Sequence, residues 1–196
     1  MTDNEAVVTL KDAIEQVETA VTRIALIHLG FSKTLVEELG EEKGKELIIK
    51  SMIEYGKLVG KQTGKGGQDL PYYGLHDKYL YDDHEFIDTR KNPVPRDKNF
   101  DFKRYRVYGC MLAKVFRELG EEELGRLYCY VDSAKSMATD PSRKLIHTAC
   151  EPLGDDCCRF DMVPTTEKER EDFKNKTVDW KEVDPILVKG SGTTKE

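Results

Sequence analysis

The chain has 196 residues, with 31 Lys and Arg against 37 Asp and Glu, a net charge of -6 and 38% hydrophobic residues. This length predicts one domain that buries a core without disulfide or metal support. The acidic balance and the lack of a Lys/Arg cluster argue against a nucleic-acid partner.

The longest apolar run, residues 24–29, is interrupted by His28 and is too short to span a membrane. The N-terminal residues do not resemble a signal peptide, and the number of cysteines, five, is odd. Both features predict a cytoplasmic protein with reduced thiols.

Two helices are predicted at the start of the chain. Apolar residues recur at spacings of three and four over residues 10–35, and Gly40 is a natural stop before a second helical pattern at 41–59. Residues 60–101 are rich in Gly, Pro and Tyr and predict an irregular lid or pocket wall containing one strand at 85–89.

The rest of the chain predicts alternating short elements. A strand is expected at residues 102–108, helices at 110–119 and 121–138, and a hairpin of strands at 144–150 and 157–163. The predicted fold class is therefore α+β, with N-terminal helices packed against a small antiparallel sheet and two further helices. Residues 1–163 are predicted to form a single domain, and the charged residues 164–196 a C-terminal extension that is partly disordered.

The helix predicted at 121–138 carries the first candidate site. One row of this helix consists of Gly125, Cys129, Asp132 and Ser136, beside a mostly apolar row that includes Tyr128. Small and polar residues beside a buried face are typical of a cavity wall. The simpler interpretation is that Cys129 is a small buried residue and Asp132 faces solvent.

The predicted hairpin carries the second candidate site. Strand alternation places Cys158, Phe160 and Met162 on one face, and a turn centred on Gly154 brings Cys150 near Cys158 while His147 faces away from Phe160. A zinc site built from the five cysteines, including Cys129, or from His147 is conceivable. No Cys-x2-Cys or matching His spacing is present, so structural cysteines are the preferred interpretation, and no metal or cofactor is predicted.

These two segments carry a resemblance to a known family. The sequence Gly125-Arg-Leu-Tyr-Cys-Tyr-Val-Asp132, followed by His147-Thr148 and Gly154-Asp-Asp-Cys-Cys-Arg-Phe160, resembles the L-2-amino-thiazoline-4-carboxylic acid hydrolase family. The family pattern pairs a Cys-x-x-Asp helix with a late Gly-Asp-x-x-Cys-x-Phe hairpin. Its reaction is the hydrolytic opening of a cyclic amidine to a carbamoyl-cysteine. A more distant resemblance reaches the vinyl-reductase-like small-molecule-binding domains, which share the α+β fold and are often dimeric.

The resemblance implies a small-molecule hydrolase, and the helix row together with the shared motif makes Cys129 and Asp132 its candidate catalytic residues. Either Cys129 attacks directly, which needs a compensating positive group, or Asp132 acts as a base on water. The candidate binding residues are Tyr128, Asp155, Cys158, Phe160, the loop residue His84, and Arg106, whose guanidinium suits a substrate carboxylate.

Two other functions stay open at this point. The first is a non-catalytic small-molecule-binding or sensory domain that uses the same pocket, as the aromatic residues of 72–81 suggest. Alternatively, the chain is a structural protein that forms a homodimer through its first helix. In every case the expected partner is a small molecule or a second copy of the chain.

Overall fold

The computed structural model describes residues 9–62, 78–81, 86–87 and 105–188. It begins with two long helices, α1 (Leu10–Leu39) and α2 (Glu41–Gln62). Thr9 caps α1 by accepting a hydrogen bond from the backbone N–H of Asp12. Gly40 ends α1 with a φ of 76°, a conformation that only glycine adopts without strain. The chain therefore reverses at Gly40, as predicted, and α2 begins at the next residue.

All strands in the described residues form one antiparallel sheet of order β2-β1-β3-β5-β4. The strands are β1 (Lys78–Tyr81), β2 (Phe86–Ile87), β3 (Tyr105–Tyr108), β4 (Arg143–Ala149) and β5 (Cys158–Pro164). The strands predicted at 85–89 and 102–108 correspond to β2 and β3, and the other parts of those two ranges lie outside the described residues. The predicted α+β class is confirmed.

Three helices lie between β3 and β4, where two were predicted. They are α3 (Met111–Glu118), α4 (Glu122–Gly125) and α5 (Tyr130–Thr139). The prediction of a single helix at 121–138 was wrong at the centre of this range, because Arg126–Cys129 forms a 3-10 turn between α4 and α5. This tightening follows directly after Gly125, whose backbone lies against the ring of Phe116.

The buried face of α1 differs from the predicted one. Ala25, His28, Leu29 and Ser32 are buried, and Ala25 and Leu29 pack on Val115 and Phe116 of α3. The predicted stripe had counted Ile24 and Phe31 among the inward residues, but they are 37% and 67% exposed. Small residues at 25 and 32 allow α3 to approach closely and so rotate the buried face. A homodimer formed through this helix stays a prediction.

Residues beyond 163, where the predicted single domain ends, contribute to the core. Helix α6 (Glu167–Asn175) starts with a capping box formed by Thr166 and Glu169, and α7 (Trp180–Val183) and a 3-10 turn (Pro185–Leu187) follow. Trp180, Val183 and Leu187 are buried in the main cluster around Tyr130 and Met137. The charged composition of this region hides these three apolar residues from a sequence pattern. Residues 189–196 lie outside the described residues.

No helix in the described residues combines the length and the apolar character that crossing a membrane requires.

Gly125 provides a test of the packing between α3 and α4. A Cβ atom at this position would lie 2.2 Å from Cγ of Phe116, so Gly125→Ala should lower the free energy of unfolding by about 1–3 kcal/mol. Gly30→Ala in α1 is the matched control, since nothing lies within 4 Å of its Cβ position. The control should raise stability by roughly 0.5–1 kcal/mol through helix propensity. Denaturant unfolding of both variants measures the difference, and equal effects would contradict the close contact.

His28 provides a test of pH dependence. Its Nε2 lies 3.0 Å from the carbonyl oxygen of Leu124, and burial lowers its pKa more than this hydrogen bond raises it. The unfolded chain therefore takes up a proton first, and stability falls as the pH drops below roughly 6.5. His28→Gln keeps an N–H donor but does not titrate. Between about pH 7 and pH 5, its unfolding free energy should fall less than that of the wild type. Parallel curves for the two proteins would exclude His28 as the source.

Candidate active site

Three cysteines meet where α5 approaches the β4–β5 hairpin. Cys129 ends the 3-10 turn before α5, Cys150 follows β4, and Cys158 begins β5. The Sγ atoms of Cys129 and Cys150 lie 4.0 Å apart. Cys150 also contacts Cys158, as predicted, and the backbone N–H of Glu151 donates to Sγ of Cys158 at 3.3 Å. Two of the three thiols are buried and Cys129 is partly buried.

His147 is held beside these thiols by a buried carboxylate. Oδ2 of Asp184 lies 2.7 Å from Nδ1 of His147 and also accepts the backbone N–H of His147 at 3.1 Å. Since a carboxylate only accepts, Nδ1 is the ring nitrogen that donates to Asp184, and Nε2 is the nitrogen left for another partner. Both residues are almost completely buried, with 3% of His147 and 0% of Asp184 exposed. The tautomer and the direction of the ring are therefore fixed by Asp184.

The prediction that His147 faces away from Phe160 was wrong. The register pairs His147 with Phe160, and their ring centroids lie 4.8 Å apart. A β-bulge between His147 and Ala149 shifts the pairing by one residue relative to a regular hairpin. A shift of one residue moves a side chain to the other face of the sheet. The bulge therefore turns His147 toward the face that carries Cys158 and Phe160.

Asp132 completes the group of polar side chains. It lies in the first turn of α5, where Oδ1 accepts a hydrogen bond from Nζ of Lys135 at 2.7 Å. Its other oxygen, Oδ2, lies 3.8 Å from Nε2 of His147, and 23% of its side chain is exposed. Asp184, His147 and Asp132 thus form a line from the core toward the surface. Together with Cys129 and Cys150 they are called the Cys–His–Asp cluster below.

The cluster brings thiol and imidazole groups within ligand distance of one another. In the described residues, one ring nitrogen of His147 and the Sγ atoms of Cys129 and Cys150 all lie within 4.8 Å of each other. Sequence reasoning had singled out Cys129 and Asp132, had named His147 only as a conceivable zinc ligand, and had missed Asp184. His147-Thr148 lay inside the motif that carried the resemblance, whereas Asp184 stands in a charged stretch without any pattern.

The environment of the three thiols keeps them protonated. A hydrogen bond with Cys150 lowers the pKa of Cys129, but burial and the neighbouring thiols and Asp132 outweigh it and raise the pKa overall. The hydrogen bond with Cys129 and burial raise the pKa of Cys150, and the hydrogen bond with Cys150 and burial raise that of Cys158. Protonated thiols are poor nucleophiles.

The structure also places three of the remaining residues that were predicted to bind the substrate. Asp155 accepts the backbone N–H of Cys150 at 2.7 Å and so holds the hairpin connection. Tyr128 packs edge-on against His28, with centroids 5.5 Å apart, and burial and a hydrogen bond with Tyr55 raise its pKa. Register pairs Arg106 with Arg159, on the face of the sheet opposite Cys158. His84 lies outside the described residues.

The fold and this cluster define an α+β protein with a buried site of thiols, imidazole and carboxylates. The model of the L-2-amino-thiazoline-4-carboxylic acid hydrolase family matches residues 20–162, so the chain belongs to this family. The match contains Cys129, Asp132, His147 and Cys150 and ends before Asp184. It supports a hydrolase-like function at the level of the family. Neither the curated proteins nor the solved structures gave a match to the chain.

Proposed function

We propose that this protein hydrolyses a small cyclic amidine that carries a carboxylate, as in 2-amino-thiazoline-4-carboxylate. The observation that carries the proposal is the arrangement of Asp132 beside the free nitrogen of a histidine whose other nitrogen is fixed by Asp184. A carboxylate and an oriented imidazole are the groups that general acid–base hydrolysis requires. Family membership supports the same reaction class.

The proposed reaction adds one water molecule to the substrate. The water oxygen forms a bond to the amidine carbon, and its proton passes to a base of the site. The ring nitrogen takes both protons of the water, the first when the tetrahedral intermediate forms and the second when the bond between this nitrogen and the amidine carbon breaks, so that a primary amine and a carbamoyl group remain. Proton transfer at both stages is the contribution of the protein, and each such transfer is worth roughly 10²–10⁴ in rate.

Asp132 is proposed as the base that removes the proton from water. It is partly exposed, whereas His147 and Asp184 lie deeper, so Asp132 is the carboxylate that a substrate reaches first. Nε2 of His147 is 3.8 Å away, a separation at which one water molecule can bridge both groups. His147 is proposed to orient this water, and Asp132 is proposed to pass the proton that it has taken to the leaving nitrogen.

Direct attack on the substrate by the thiol of Cys129 is a weaker alternative than attack by water. The carboxylate of Asp132 lies one helical turn away and disfavours a thiolate. The cation next to this carboxylate, Lys135, already forms an ion pair with it at 2.7 Å. Cys158 and Phe160 lie on the same face as His147 and are proposed to line the substrate pocket.

Asp132→Asn tests the proposed base. The amide keeps the shape of the side chain but accepts no proton, so kcat for opening the aminothiazoline carboxylate should fall by about 10²–10⁴. The value of KM should change much less, since the proton moves only in the transition state. Product formation is followed by mass spectrometry as the gain of one water per substrate.

Asp140→Asn is the matched control for this experiment. Asp140 follows α5 and binds Ser142 and Arg143, away from the cluster, so its amide variant should retain wild-type turnover. Retained activity in Asp132→Asn would remove Asp132 from the mechanism. A wild-type protein that binds the substrate without converting it would favour the small-molecule-binding alternative over the hydrolase.

A further inference from the structure

We propose that Cys129, Cys150 and Nε2 of His147 bind a zinc ion. The inference concerns the same cluster as the proposed hydrolase and rests on that function only for the role of the ion, not for its binding. The sequence analysis had preferred structural cysteines because no Cys-x2-Cys spacing occurs. The structure explains this weak signal, since Cys129 lies in the 3-10 turn, whereas His147 in β4 and Cys150 directly after β4 come from a second segment.

The spacing of the three groups fits a tetrahedral ion. With Zn–S bonds of about 2.3 Å and a tetrahedral angle, two thiolate ligands lie about 3.8 Å apart. The Sγ atoms of Cys129 and Cys150 are 4.0 Å apart. Imidazole and thiolate ligands of one zinc ion lie about 3.6 Å apart, and one ring nitrogen of His147 is within 4.8 Å of both sulfur atoms.

The second nitrogen of His147 has the partner that zinc-binding histidines usually have. Metal-bound histidines almost always donate their other N–H to a carboxylate or carbonyl oxygen, which fixes the ring and raises its basicity. In this protein Nδ1 donates to Asp184 at 2.7 Å, so Nε2 is the nitrogen left for the metal. Ser133 and the backbone of His147 also donate to this oxygen of Asp184.

The ligand set selects the type of metal and leaves one position for the reaction. Two thiolates and one imidazole favour zinc over hard cations such as Mg²⁺ or Ca²⁺. Three protein ligands are typical of catalytic zinc sites, in which water takes the fourth position. Asp132 approaches the cluster from the exposed side, 3.8 Å from Nε2 of His147, where it can hold this water. A bound ion would make the water acidic enough to attack at neutral pH.

Cobalt substitution tests the proposal without an activity assay. The full-length protein, stripped of metal, is titrated with Co²⁺, which in a site with two thiolates gives a near-ultraviolet thiolate-to-cobalt band and the visible bands of a tetrahedral ion. We expect the bands to saturate at about one ion per chain. Cys150→Ser and His147→Gln should each weaken binding at least about 10-fold, and Asp184→Asn roughly 10- to 100-fold.

Cys157→Ser is the matched control, because Cys157 is as buried as Cys150 but lies outside the group of three ligands. It should bind Co²⁺ like the wild type. If a variant fails to fold, alkylation of the wild type tests the same point. Zn²⁺ should protect Cys129 and Cys150 from alkylation and leave the alkylation rate of Cys157 unchanged. Absence of the thiolate-to-cobalt band, or equal protection of all three thiols, would overturn the proposal.

The two proposals fail in different ways. If Co²⁺ and Zn²⁺ do not bind but Asp132→Asn still abolishes turnover, the zinc site is wrong and the hydrolase stands. If the metal binds with the predicted ligand dependence but no cyclic amidine is converted, the zinc site stands and the substrate assignment is wrong.

Discussion

The structure depends on one buried carboxylate, that of Asp184. It is completely inaccessible to solvent, and a buried charge of this kind costs several kcal/mol unless donors surround it. One of its oxygens accepts from the backbone and the ring of His147 and, at 3.4 Å, from Ser133. These contacts join the C-terminal segment to β4 and to α5. The same interaction that holds the last part of the chain on the core therefore also orients the histidine of the site.

The position of Asp132 depends on a second constraint, the close packing of α2 on α5. Gly56 and Gly60 of α2 face the backbone of α5, and a Cβ on either would lie 2.6–2.7 Å from a carbonyl oxygen of Val131 or Lys135. Only glycine permits this approach. Because α5 is fixed along this line, Asp132 and Cys129 are presented to the β4–β5 hairpin in one orientation. The site is thus held from two sides, by α2 through α5 and by Asp184 through β4.

The sequence predicts the parts of this arrangement that follow from local periodicity. The two N-terminal helices, their boundary at Gly40, the hairpin and the proximity of Cys150 to Cys158 could all be derived from spacing and turn residues. The orientation of His147 could not be derived in this way, because it depends on a β-bulge that no residue type in β4 indicates. Asp184 could not be identified either, since its role arises from contacts with residues 37 and 51 positions earlier in the chain.

The location of Asp184 outside the family match has a consequence for the chemistry. The matched residues 20–162 carry the thiols, Asp132 and His147, but not the carboxylate that fixes the tautomer of His147. Without this carboxylate the imidazole would be free to rotate, and Nε2 would lose the defined lone pair that either a proton or a metal ion requires. The segment predicted as a charged extension therefore supplies the carboxylate that orients His147. Burial of Trp180, Val183 and Leu187 keeps that segment in place, so core packing and site chemistry are coupled through three apolar side chains and one carboxylate.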